Sequence, residues 1–131
     1  MSQENVEIVR RMLAAFNAED MAAFGEIFDS HVVMRMAEGW PESGPFMGRG
    51  AVMREVDQLR ETWDADAMRV ISDFVDVGDR VVVRLIWRGV GRGPRADMEF
   101  SGVYTLRDGK VIAIDQFWDH AVALKAVGLE E

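Results

Sequence analysis

The chain has 131 residues, 49% of them hydrophobic, no cysteine and a formal net charge of -8. That length suits one domain spanning residues 1–131, and that hydrophobic content excludes a disordered chain. The missing cysteine excludes disulfides and thiolate chemistry, and the negative charge argues against nucleic acid and anionic membranes as partners.

In chain order, Ser2 reads as an N-cap with Glu4 in the first turn. Val6, Val9, Leu13 and Phe16 then recur at helical spacing, with Met12 beside them, and predict an amphipathic helix ending near Asn17. That segment carries charges throughout and lacks the apolar centre of a signal peptide, and no run anywhere approaches the roughly 20 apolar residues of a membrane span. A cytoplasmic location is expected. Asp20 caps a short second helix with an apolar face of Phe24, Ile27 and Phe28, broken by Asp29-Ser30. His31 to Met36 reads as a strand. The segment from Glu38 to Gly50, rich in proline and glycine, reads as a loop, followed by a third helix from Ala51 to Trp63.

The second half predicts four strands: Arg69 to Val77, Arg80 to Gly89, Asp97 to Arg107 and Lys110 to Asp119. Gly78-Asp79 and Asp108-Gly109 mark tight hairpins, and Gly89 to Pro94 a longer turn whose G-x-G start lacks the third glycine and following helix of a dinucleotide site. A short helix from His120 to Val127 is stopped by Gly128. Helices first and strands last predict an α+β fold, a curved mixed or antiparallel sheet wrapped around N-terminal helices.

Polarity sets the faces of the last hairpin. A two-residue loop pairing Arg107 with Lys110 puts Asp97 and Glu99 beside Ile112, Ile114 and Trp118. A three-residue loop with Gly109 in the left-handed bulge position pairs Leu106 with Lys110. One face then carries Met98, Phe100, Gly102, Tyr104, Ile112, Ile114, Gln116 and Trp118. The other carries Asp97, Glu99, Ser101, Thr105, Asp115 and Asp119, with Val103 and Phe117 among them. The second register sorts polarity cleanly and is the one expected. The preceding strand turns Val81, Val83, Leu85 and Trp87 inward and Arg84 and Arg88 outward, opposite Asp97 and Glu99. With Trp40 and Phe46 from the loop, the inner face predicts a ligand pocket of Trp40, Phe46, Trp87, Phe100, Tyr104, Gln116 and Trp118. Val82, Ile86, Val103 and Phe117 make an apolar stripe among charges on the outer face, which predicts a homodimer.

Segments 2–10 (SQENVEIVR), 15–20 (AFNAED), 48–52 (GRGAV), 78–82 (GDRVV), 106–111 (LRDGKV) and 123–129 (ALKAVGL) together resemble SnoaL-like, polyketide cyclase-like domains of the nuclear transport factor 2-like superfamily. The resemblance covers essentially the whole chain and lies in the order and spacing of the segments. It implies a cone-shaped α+β fold, a deep cavity and a dimer. The superfamily holds polyketide cyclases, ketosteroid isomerases, epoxide hydrolases and non-catalytic binding domains, so fold alone leaves the function open. At the position of the cyclases' acid-base aspartate this chain has Gln116, which carries no titrating proton. The isomerases' oxyanion donors fall near Met12 and Gly102 and their base near Gly39-Trp40, with Glu38 the nearest carboxylate. An epoxide-hydrolase Asp-Arg-Asp set is missing, since Arg84 and Asp115 sort outward.

The two histidines, His31 and His120, are too far apart for a metal site, and no metal or cofactor is expected. Asp119 and His120 form a candidate general-base pair at the strand end, with Asp119 as a helix cap the competing role. The leading expectation is a binder of a small apolar or aromatic ligand, oriented by Gln116, Tyr104 and Trp118. The alternatives are an enzyme of the cyclase, isomerase or hydrolase kind, using Glu38, Asp119 or His120 as base, and a dimerising interaction module without catalysis.

Overall fold

An apolar stripe at helical spacing and a set of strands with period-two alternation need each other's buried faces, and the chain solves this by laying helices in the hollow of one sheet. The computed structural model describes residues 2–40, 44–61, 65–90 and 96–129. Helices α1 (Ser2–Asn17) and α2 (Met21–Glu26) lead into strand β1 (Phe28–Arg35). After β2 (Phe46–Met47) comes α3 (Arg49–Glu61), then β3 (Ala65–Val70), β4 (Val75–Val77), β5 (Arg80–Val90), β6 (Ala96–Arg107), β7 (Lys110–Phe117) and α4 (His120–Ala126). The sheet runs β2-β1-β7-β6-β5-β3, with β4 also on β5. Its pairings are antiparallel except β1 with β7, which is parallel.

Local chemistry explains the first half. In α1 the predicted stripe is buried, with Val9 fully enclosed and Met12 2% exposed. Asp20 caps α2 by accepting from Ala23 N at 3.1 Å. Asn17 closes α1 by bonding both Met68 N and Met68 O, at 2.7 and 2.8 Å, so its amide acts as one more strand partner for the edge strand β3. Phe28, expected on the second helix, instead opens β1, and Asp29 and Ser30 lie within that strand, where its register to β7 shifts. From the Phe28–Val111 pair to the Val33–Ala113 pair β1 uses more residues than β7, and Asp29 and Ser30 lie in that irregular stretch. The helix after the loop starts earlier than expected, at Arg49, and Trp63 lies outside the described residues.

The strand expected over 69–77 is two strands. Between them the Ser72 hydroxyl accepts from Arg84 N at 2.9 Å, taking the place of a ladder carbonyl. β5 follows the alternation: Val81, Val83, Leu85 and Trp87 are buried on the inner side. Full burial of such an aliphatic side chain stabilises by roughly 1.5–3 kcal/mol. Arg84 and Arg88 face outward and pair with Glu99 and Asp97 at 2.6 and 3.6 Å.

The last hairpin does not adopt the expected register, since Leu106 is not paired with Lys110. The turn is the two-residue form, pairing Arg107 with Lys110 and Leu106 with Val111. Ile112 is then skipped, and Thr105 faces Ala113. That bulge leaves the residues on the faces expected of the longer loop but with partners two residues further along: Tyr104 pairs with Ile114 and Gly102 with Gln116. Val111, rather than the expected Ile112, is buried in the core.

Helix α4 packs on the other side of the sheet. Ala123 meets Val82 and Val103 there, with Val75, Phe117, Leu124 and Val127 around them. Most of the expected outer apolar stripe is therefore covered by the chain itself: Val82 and Val103 are at 0% and 3% exposure, and Phe117 packs against them. A Schellman motif ends α4: Gly128 N donates to Lys125 O and Leu129 N to Leu124 O, with Gly128 at φ 89°.

Candidate functional site: a helix-capped apolar cavity

Helices α1, α2 and α3 do not fill the hollow of the sheet. A cavity of about 80 Å³ remains, several times the roughly 10–15 Å³ that one water needs. Its sheet wall is built by alternation, with Trp87 from β5, Met98, Phe100 and Tyr104 from β6, and Ile114 and Gln116 from β7. The helix wall brings Met12, Leu13, Phe16 and Phe24 from α1 and α2, and Val56, Leu59 and Arg60 from α3. Trp40 and Trp118 stand at the rim, their ring centroids 6.0 Å apart and tilted by 43°. Trp118 Nε1 donates to the carbonyl oxygen of Glu38 at 2.7 Å, which ties the loop to the end of β7.

Six of the seven residues expected in the pocket line this cavity: Trp40, Trp87, Phe100, Tyr104, Gln116 and Trp118. Phe46 does not; its ring packs against the surrounding core. The expected pocket contained no methionine. Met12, Met34, Met36, Met68 and Met98 all reach the wall, giving it polarizable, adaptable side chains suited to aromatic rings. The signal for one of them was the inward position of Met98 on the face that carries Phe100 and Tyr104.

Polar groups in the wall are few. Arg60 lies over the Phe16 ring, 4.6 Å from its centroid, and donates to Phe16 O and to Glu19 Oε1 at 3.1 and 3.3 Å. Tyr104 is 4% exposed, and burial pushes its hydroxyl pKa up. Among the described residues no hydrogen bond is made by the Tyr104 hydroxyl or the Gln116 amide. Both are therefore available to whatever enters.

The candidate bases are dispersed. Glu38 is exposed in the rim loop. Asp119 caps α4, accepting from Ala121 N at 2.8 Å. His120 Nδ1 is hydrogen-bonded to Ser101 Oγ at 2.7 Å, on the sheet face that carries α4. Neither Asp119 nor His120 lines the cavity. Glu55, a buried carboxylate on α3, is engaged by other groups and does not line it either. Among the described residues no cluster of three His, Asp or Glu side chains is placed to hold a metal ion.

A curved open sheet whose concave face is roofed by helices around an apolar cavity defines a class, the nuclear transport factor 2-like α+β domains. Within it, the chain belongs to the SnoaL-like domain family, whose model matches residues 9–114. A nuclear transport factor 2-like protein of unknown function from Burkholderia pseudomallei K96243 superposes with a TM-score of 0.78 at 18% identity, over 96% of this chain and 98% of its own. TerC, crystallised with polyporic acid, gives a TM-score of 0.77 at 21% identity, over 96% and 99%. A protein from Jannaschia sp. CCS1, assigned as a SnoaL-like polyketide cyclase, gives 0.77 at 20% identity, over 99% and 95%. At such identities the likeness is one of fold. A comparison with curated protein sequences finds no match.

Proposed function

We propose that this protein binds a small apolar or aromatic molecule in the cavity, oriented by Gln116 and Tyr104, with no cofactor and in the cytoplasm. One observation carries the reading: two neutral hydrogen-bonding side chains line a cavity that is mostly apolar, and they have no partner among the described residues. A ligand that accepts from both replaces the solvent they otherwise meet, at a net gain of about 0.5–1.5 kcal/mol for each hydrogen bond. That TerC was crystallised with polyporic acid supports the reading by analogy. The test is mass spectrometry of co-purified molecules with a thermal-shift screen of polycyclic and terpenoid compounds. A stabilising compound released unchanged is expected; no co-purified molecule and no shift with any compound would overturn the reading.

An enzyme of the cyclase, isomerase or hydrolase kind is the second reading, favoured by the Trp118 bond that holds residue 38 at the rim. Any proton carrier then enters from the rim, with Glu38 as the base. If a turnover assay exists for the compound found, Glu38→Gln should lower turnover by at least about 100-fold; unchanged turnover removes Glu38 from that role.

For the homodimer, the part of the outer face left open by α4 is the surface we assign, with Ile86 half-buried among the Arg84–Glu99 and Arg88–Asp97 pairs. Sedimentation that shows only monomer at micromolar concentration would overturn this assignment.

A further inference from the structure

On the inner face of β6, Tyr104 does not stand upright into the cavity. A Cβ built on Gly102 would lie 2.7 Å from Tyr104 Cε2 and Oη and 2.8 Å from Cζ. The ring therefore leans back along its own strand and covers residue 102, which only glycine permits. Gly102 is paired across the ladder with Gln116, and side chains directly opposite on one face start about 4.5–5.5 Å apart. The Tyr104 hydroxyl thus lies over the residue paired with Gln116, and both side chains line the same cavity. An oxygen atom lying between them can accept from both.

We propose that Tyr104 and Gln116 form a two-donor station for the carbonyl oxygen of a neutral cyclic ketone or quinone, with Gly102 as the positioning residue. The proposal rests on the ligand-binding reading above and names its ligand class. The phenol and the amide N–H group both offer protons, and a carbonyl oxygen has two lone pairs to receive them. A carbonyl also brings no proton of its own that would be left unpaired against Phe100, Ile114 and Met98. Burial raises the Tyr104 pKa, so the hydroxyl keeps its proton and remains a donor near neutral pH. The cavity's cationic side chain, Arg60, is bound to Phe16 O and Glu19, so the polar recognition at the sheet wall is by neutral groups.

The test uses two probes of similar shape, indanone and its hydrocarbon indane, titrated into the full chain by protein NMR at about pH 8, where a glutamate is ionised. Tyr104→Phe keeps the ring and removes the donor. It should weaken indanone about fivefold, as for one net hydrogen bond, and leave indane within about twofold. Gln116→Glu replaces a donor with a carboxylate and should weaken indanone further; a ligand that donates a hydroxyl proton would instead be held as well or better. In a Gly102→Ala background, Tyr104→Phe should have no further effect on indanone, because the hydroxyl is already displaced. Equal weakening of both probes by Tyr104→Phe, or unchanged ketone binding in Gln116→Glu, would overturn the carbonyl station while leaving ligand binding intact. Binding of neither probe to the unaltered protein would overturn the carbonyl station, and the co-purification and thermal-shift screen would decide the binding reading separately.

Discussion

Tyr104 lies across Gly102 so closely that a methyl group at residue 102 would sit 2.7 Å from the tyrosine hydroxyl. Gly102 is itself fully strand-like and buried, so its role is space, not an unusual backbone angle. Gly102→Ala should destabilise by about 1–3 kcal/mol, the range for an overpacked core. In the double variant Gly102→Ala/Tyr104→Leu the loss should be less than the sum of the single losses, because leucine does not reach back over residue 102. Urea unfolding of the four proteins measures this; strict additivity would mean that the two side chains do not compete for that space.

Tyr104 is the chain's one tyrosine, so tyrosinate absorbance reports it alone. Its pKa is raised by burial, above an ordinary value of about 10. In a raised acid the folded state holds the proton longer than the unfolded state. The stabilising contribution is therefore complete below about pH 10 and is lost as pH rises from there through the folded pKa. The folded protein should show little tyrosinate at a pH where the urea-unfolded chain is half ionised. The loss of stability above about pH 10 should be shallower in Tyr104→Phe. Coincident titration curves for folded and unfolded chain would contradict the burial of this hydroxyl.

At the β6–β7 turn, Asp108 and Gly109 both have positive φ, 52° and 78°, the requirement of a two-residue type I′ turn. Gly109→Ala should cost about 1 kcal/mol or more, since a Cβ is disfavoured in the left-handed region. Asp108→Asn should be neutral to stabilising, as asparagine tolerates that region well, and Asp108→Val should be destabilising. Denaturation midpoints of the three variants give the order, and an Asp108→Val as stable as Asp108→Asn would count against the turn type.

Helix α4 is held by the Asp119 cap, the Ser101–His120 bond and the Ala123–Val82–Val103 cluster. Asp119→Ala should cost about 1 kcal/mol for the lost cap and speed hydrogen exchange in residues 120–126. The cavity lies on the opposite face of the sheet, so ligand affinity should stay the same in Asp119→Ala and His120→Ala. A large affinity loss in either would mean that α4 communicates with the cavity.

Much of this arrangement was legible from residue types alone, because a strand with one buried face admits a single parity. Alternation was enough to turn Val81, Val83, Leu85 and Trp87 inward, to set Arg84 and Arg88 against Glu99 and Asp97, and to bring Phe100, Tyr104 and Gln116 onto one face. Asp20, Asp119 and Gly128 announced helix ends because each satisfies backbone groups within a few residues of itself. These are local or period-two constraints, and they hold whatever the rest of the chain does.

Tertiary structure decided what depends on distance between elements. Polarity could not say where the extra residue of the last hairpin goes, since a longer loop and a bulge at Ile112 leave residues 102, 104, 114 and 116 on the same faces. Nor could it tell that Val82 and Val103 would be covered by α4, because an outward apolar residue reads the same whether its own chain or another protein covers it. The methionine wall was hidden for a related reason. An inward Met34 or Met98 has the same local signature in a packed core as beside a cavity, and the difference lies in how far the curved sheet stands away from α1 and α3. That separation, and the Tyr104 ring lying over the bare strand at Gly102, are set by packing across the whole domain.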